Sequence, residues 1–220
     1  MTITVYPPYG SSDNNPIYVQ FPAVATDAFG RLQVSEPYTL FDSQSRYAAD
    51  NQFDGSTVNG ASITYDSNAS TVLLSADTTS GSKAVRQSYR SMPYQPGKGL
   101  LVLATFVMAA AQTNLRQRVG YFNTGNGLFF QKSGTTNSFV LRTSTSGSPS
   151  DARIVNQSSW NGDKLDGTGA SGITLDTTKA QIFWADFEWL GVGSVRCGFI
   201  INGQYILCHT FQNANDLDKV

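Results

Sequence analysis

Charge is scarce in this chain. Asp, Glu, Lys and Arg make up 14% of its 220 residues, against about 25% in an average globular protein. The formal net charge is −1, so there is no overall cationic surplus to neutralise phosphates, and nucleic acid is not expected as the main partner. There is one histidine, which starves acid–base chemistry at neutral pH of its usual agent. With two cysteines, neither a disulfide framework nor a zinc-ligand spacing can be drawn. Long apolar runs are missing too. The longest, Leu100 to Ala111, is too short to span a bilayer, and Met1-Thr2-Ile3-Thr4-Val5 lacks the basic start and apolar stretch of a signal peptide. No membrane association and no cofactor are expected, and folding is expected in a cytoplasm.

What is present is Ser, Thr, Asn, Gln and Gly, set between short apolar pieces. Residues 1–45 carry Pro7-Pro8, Gly10, Asp13-Asn14-Asn15-Pro16 and Pro22. Repeated proline favours an extended arm over central strands. Tyr6, Tyr9, Tyr18 and Phe21 are odd companions for disorder, so the reading is an arm docking on a neighbour, with an unstructured tail as the alternative. From about Asn59 the cadence becomes strand, turn, strand, at 61–66, 70–76, 83–90, 99–109, 116–123, 127–132, 137–143, 152–156, 181–190, 194–201 and 204–211. Residues 46–220 are therefore expected to form one all-β domain, an antiparallel β-sandwich of jelly-roll or lectin-like kind. Residues 99–109 are apolar on both faces, which predicts a strand either central in its sheet or buried at a subunit contact. Phe183, Phe187 and Trp189 share one face of the 181–190 strand, and Trp184, Asp186 and Glu188 the other.

Asn202-Gly203 between two apolar runs predicts a hairpin with a type I′ turn. The register this implies sets Phe199 against Ile206 and Cys197 against Cys208, with Ile201 on the same, core-facing side and His209 on the other. A hydrogen-bonded pair holds its Cβ atoms about 5.5 Å apart, whereas a relaxed disulfide wants about 3.5–4.5 Å, so two packed free thiols are expected. His209 then reads as a surface or interface residue. Asp186 and Glu188, about 6.5–7 Å apart by strand rise, fall near the spacing of an inverting glycosidase. Adjacent carboxylates on a sheet are more often solvated or paired with Arg or Lys. The run Asn161-Gly162-Asp163-Lys164-Leu165-Asp166-Gly167-Thr168-Gly169 has oxygen ligands but not the ligand order of a calcium loop, and reads as a structured turn-rich connection with no metal. Gly125-Asn126-Gly127 is a turn, not a phosphate cradle, because no helix follows. No catalytic set emerges, so the chain is not expected to be an enzyme.

Two stretches are distinctive. Asp27-Ala28-Phe29-Gly30-Arg31-Leu32-Gln33-Val34-Ser35, then Thr39-Leu40-Phe41-Asp42-Ser43, resembles the opening of a family of tailed-phage virion structural proteins. Trp160 through Gly169, together with Ile182-Phe183-Trp184-Ala185-Asp186-Phe187-Glu188-Trp189-Leu190-Gly191-Val192-Gly193, is similar to a later part of the same family. Arg118-Val119-Gly120-Tyr121-Phe122 and Gly127-Leu128-Phe129-Phe130 add to the likeness, which covers most of 27–215. It implies a virion protein without catalytic residues, most readily a capsid decoration, cement or head-fibre component held by its arm to other virion proteins and to copies of itself, a trimer by cyclic symmetry. Family members continue past Phe211–Asn215 into further sheet, which implies an edge to be covered, for example by a neighbouring chain. The alternative is a tail- or baseplate-associated carbohydrate-binding module for host attachment, with Trp160, Asn161 and Asp163 meeting a host glycan.

Overall fold

The computed structural model describes residues 38–95, 97–188 and 193–214, together with the strands Thr2–Val5 (β1) and Ile17–Gln20 (β2). The chain divides into two compact units. Ser35–Pro93 forms one; β1, β2 and everything from Tyr94 onward belong to the other. The chain passes between the units after Val34 and after Pro93. β1 and β2 pair antiparallel, Thr2 with Gln20 and Val5 with Ile17, so the stretch read as an arm contains a two-stranded pair.

The larger unit is an antiparallel β-sandwich. Its strands are β7 (Leu100–Phe106), β8 (Arg116–Phe122), β9 (Gly127–Ser133), β10 (Thr136–Thr143), β11 (Ser150–Asn156), β12 (Gln181–Phe187), β13 (Val195–Ile201) and β14 (Gln204–Phe211). One sheet runs β11-β10-β9-β8 and the other β14-β13-β12-β7. The chain passes between sheets only after β7 and after β11. Each sheet is thus mostly a meander, whereas a jelly roll is two interleaved Greek keys.

Alternation decides which side chains meet between the sheets. Phe130, Phe139, Phe183 and Phe199 have no exposed surface. Phe130 sets its ring edge-on to Phe199 at 5.2 Å, and Phe139 lies 6.0 Å from Phe183. Leu128, Leu141, Ala185, Phe187, Val195 and Phe211 complete the same cluster. Such pairs add about 0.5–1.5 kcal/mol each beyond the area they bury. The predicted division of the β12 faces holds for its described residues. Phe183 and Phe187 point into this core, while Trp184 and Asp186 lie on the opposite face, in register with Leu103 and Leu101 of β7.

β7 itself departs from one expectation. Among the described residues it is an edge strand, paired to β12 alone, and Leu101 and Leu103 on its outer face are 41% and 52% exposed. Being apolar on both faces did not make it central.

The smaller unit contains two strand pairs, β3 (Phe53–Val58) with β6 (Lys83–Ser88), and β4 (Ser62–Asp66) with β5 (Thr71–Ser75). A cation–π contact of Arg86 over Phe53 at 3.9 Å and an edge-on Phe41–Phe53 pair at 5.5 Å are its main apolar contacts. No described residue between Tyr38 and Gln95 is buried.

Candidate functional site

The loop after β11 is where the sequence placed its candidate sugar-binding residues. A 3₁₀ turn at Gln157–Ser159 swings Trp160 inward. Its ring stacks on Phe139 at 4.4 Å, its Nε1–H donates to the Val155 carbonyl (3.2 Å), and 2% of it is exposed. A stacking platform for a sugar must show its face, and this face is covered by the core. Trp160 is a core residue, and the expectation of a glycan contact there is corrected.

Asn161 and Asp163 are occupied in holding the loop. The Asn161 side chain takes both main-chain groups of Thr210, accepting from its N–H (2.8 Å) and donating to its carbonyl (2.9 Å). The amides of Gly162 and Asp163 donate to the carbonyls of Cys208 and Leu207 at 2.8 and 2.9 Å. Residues 161–163 are therefore tied to the outer edge of β14 at Leu207, Cys208 and Thr210 and cover that edge there. Only glycine fits at 162, since a Cβ there would lie 2.4 Å from the Leu207 oxygen. Asp163 accepts from the amides of Leu165 (2.8 Å) and Ser171 (2.7 Å). Burial works to raise its pKa, but these amides outweigh it and hold the carboxyl below its usual range. Asp166 is likewise engaged by Thr168. Among the described residues, no group of three or more His, Cys, Asp or Glu is arranged to hold a metal ion.

The Asn202–Gly203 turn is as predicted, with φ of 53° and 75°, and Phe199 pairs with Ile206. Beyond Gly198, which pairs with Leu207, a β-bulge shifts the register, and Cys197 pairs with His209 rather than Cys208. That shift brings His209 round to the side expected of Cys208. It is 7% exposed, edge-on to Phe211 at 4.5 Å, with Nδ1 accepting from the Asn161 amide (3.3 Å). The surface position expected for His209 is corrected accordingly. Burial, and then Arg153, lower its pKa. Both cysteines are free and buried. Burial first, and a neighbouring negative group second, push both thiols far above their ordinary value, which removes them as nucleophiles.

Asp186 and Glu188 are 2% and 1% exposed. Asp186 forms an ion pair with Arg196. The sequence left solvation and pairing with a cation both open; the structure pairs Asp186 and buries both carboxylates. A buried carboxylate held by arginine is poorly placed to meet a glycosidic bond. Two residues that pattern alone passed over also matter to the framework. Lys132, 7% exposed, joins the Ala109 carbonyl (3.0 Å) to the Thr177 hydroxyl (2.9 Å). Arg153 ties β11 to Gln212 and Asn213 beyond β14.

The arm residues Tyr6, Tyr9 and Phe21 lie outside the described residues, as does the Asp27–Ser35 motif; Tyr18 falls in β2, opposite Thr4. The described surface that stands out is in the smaller unit. Tyr38 (83%), Tyr47 (88%), Tyr89 (70%) and Leu73 (58%) present large apolar groups to solvent. A cleft of about 500 Å³ in the larger unit is lined by Gln112, Thr113, Asn114, Arg116, Ser133 and Thr135, among others, with no aromatic ring. No described helix is long and apolar enough to cross a membrane. Compared with protein-family models, curated proteins and solved structures, the chain matches none.

Proposed function

We propose that this chain is a structural protein of a tailed-phage particle, a decoration, cement or head-fibre component, assembling with other virion proteins and with copies of itself. The observation that carries the reading is the unit Ser35–Pro93. Ordering one residue costs about 1–2 kcal/mol of backbone entropy, and apolar burial is the main offset. Between Tyr38 and Pro93 no residue is buried, while tyrosines and leucines stand in solvent. A chain segment with strands but no core needs a partner to supply the missing burial.

The likeness of residues 27–43, 118–130 and 160–193 to phage virion proteins supports the kind of partner. A permanent assembly is in keeping with the burial of both thiols, His209, Asp186 and Glu188 within the fold. Carbohydrate attachment has lost Trp160 as its platform, so assembly is preferred over it. The test is protein composition of purified phage particles by mass spectrometry, with heads and tails separated. The chain is expected in the head fraction in stoichiometric amount; its absence from both fractions overturns the reading.

A further inference from the structure

The sandwich has four edges, and three are protected in ways that natural sheets use. The outer edge of β14 is covered by Asn161–Asp163. β11 carries Asp151 and Arg153, and its pairing with β10 shifts between Leu141 and Thr143. β8 carries Arg116 and Arg118. Among the described residues β7 has none of these devices. From Leu100 to Ala111 there is no charged residue and no proline, and its register with β12 runs unbroken from Phe106 to Leu100. Alternate amides and carbonyls of an edge strand point away from its sheet, and among the described residues β7 has no strand on that side.

Chemistry narrows the occupant. A strand added here would lie beside Leu101 and Leu103 on one face and continue the Val102 and Ala104 row on the other. A charged side chain on it would be desolvated without a partner. Among the described strands of the chain, β1, β2, β5, β7 and β14 have no Asp, Glu, Lys or Arg; the outer edge of β14 is already covered, and of the other four β7 alone matches the full seven-residue length of this edge. A second β7 matches on both faces, and a net charge of −1 sets up little repulsion between copies.

We infer that β7 is a docking edge for a second copy of this chain, the two β7 strands pairing antiparallel about a two-fold axis into one continuous eight-stranded sheet. The contact spans about 23 Å from the rise per residue, and Leu103, at the centre of Leu100–Phe106, faces its own counterpart. Two-fold contacts of this kind are self-complementary. The pairing makes a dimer the basic unit, in place of the trimer expected from sequence. It deepens the assembly reading and rests on it.

The experiment is the oligomeric state of the full chain by sedimentation equilibrium and native mass spectrometry. The wild type is expected to be a dimer. Leu101→Lys with Leu103→Lys should weaken association at least about 100-fold, as lysines do on edge strands, with an unchanged far-ultraviolet circular dichroism spectrum, since both side chains are already half exposed. Leu103→Cys, with both native thiols buried, should cross-link to dimer with a short bismaleimide, and Ser146→Cys on an exposed turn should not. A monomeric wild type, an odd-numbered oligomer, a dimer untouched by the lysines or the absence of a Leu103→Cys cross-link each overturns the proposal. If the lysine variant misfolds, the cross-link decides. A chain present in particles but monomeric sinks only the β7 contact. A β7 dimer absent from particles sinks only the virion assignment.

Discussion

Replacing Gly162 with alanine tests the claim that the loop after β11 serves as the cover of the β14 edge. The added Cβ would stand 2.4 Å from the Leu207 oxygen and 2.9 Å from that of Cys208. Both are main-chain atoms of a paired strand, so the loop must lift. Lifting breaks the bonds from Gly162 to Cys208 and from Asp163 to Leu207, each worth about 1 kcal/mol net. The exposed Asn161 pair with Thr210 adds less. The expected loss is about 2–3 kcal/mol. For a chain of this size 1 kcal/mol moves the melting temperature by roughly 2–4 °C, so calorimetry should register a fall of roughly 4–12 °C. Hydrogen exchange should show the amides of Gly162, Asp163 and Thr210 losing protection ahead of the core. Gly99→Ala, where the nearest atom is Asp186 Oδ1 at 3.8 Å, is the control. A Gly162→Ala protein that melts with the wild type and keeps those amides protected refutes the reasoning.

Other expectations follow from the same geometry. Trp160→Ala should cost roughly 3–5 kcal/mol and Trp160→Phe much less, measured by urea unfolding; ready iodide quenching of Trp160 emission in the native protein would contradict its burial. Ellman's reagent should find no reactive thiol in the native chain and two after denaturation. In the folded chain His209 has its pKa below the ordinary 6.5, because burial and then Arg153 disfavour the charged ring. The unfolded state therefore binds more protons over the window from about 6.5 downward, and stability is full above that window and lost as pH falls through it. Urea midpoints between pH 8 and 5 should decline in the wild type and flatten in His209→Gln.

Much of this molecule was legible because alternation and turn chemistry agree. Every strand predicted from 61–66 to 204–211 is present within a few residues, and the Asn202-Gly203 dipeptide fixed its turn. The failures are instructive. β3 was missed because Asp54-Gly55 inside it looks like a turn. The bulge opposite Cys197 escaped because Leu207 and Cys208 are both apolar, so the pattern does not reveal which one is the extra residue; His209 was misplaced as a direct result. Trp160 sits between Ser159 and Asn161 and so resembled an exposed loop aromatic, when the 3₁₀ turn before it points the ring at Phe139. For β7 the sequence offered two explanations of a doubly apolar strand. Among the described residues β7 stands at the edge of its sheet, which removes the central one.

The central claim is that the smaller unit completes its burial against partners in a phage particle. Its most direct test compares particle incorporation of the wild type with Leu73→Asp combined with Tyr89→Ser, two exposed positions, by quantitative mass spectrometry of purified particles, with thermal denaturation of the free chain in parallel. The account predicts that incorporation of the variant falls steeply while the sandwich melts as in the wild type. Full incorporation of the variant, or no incorporation of the wild type, would contradict it.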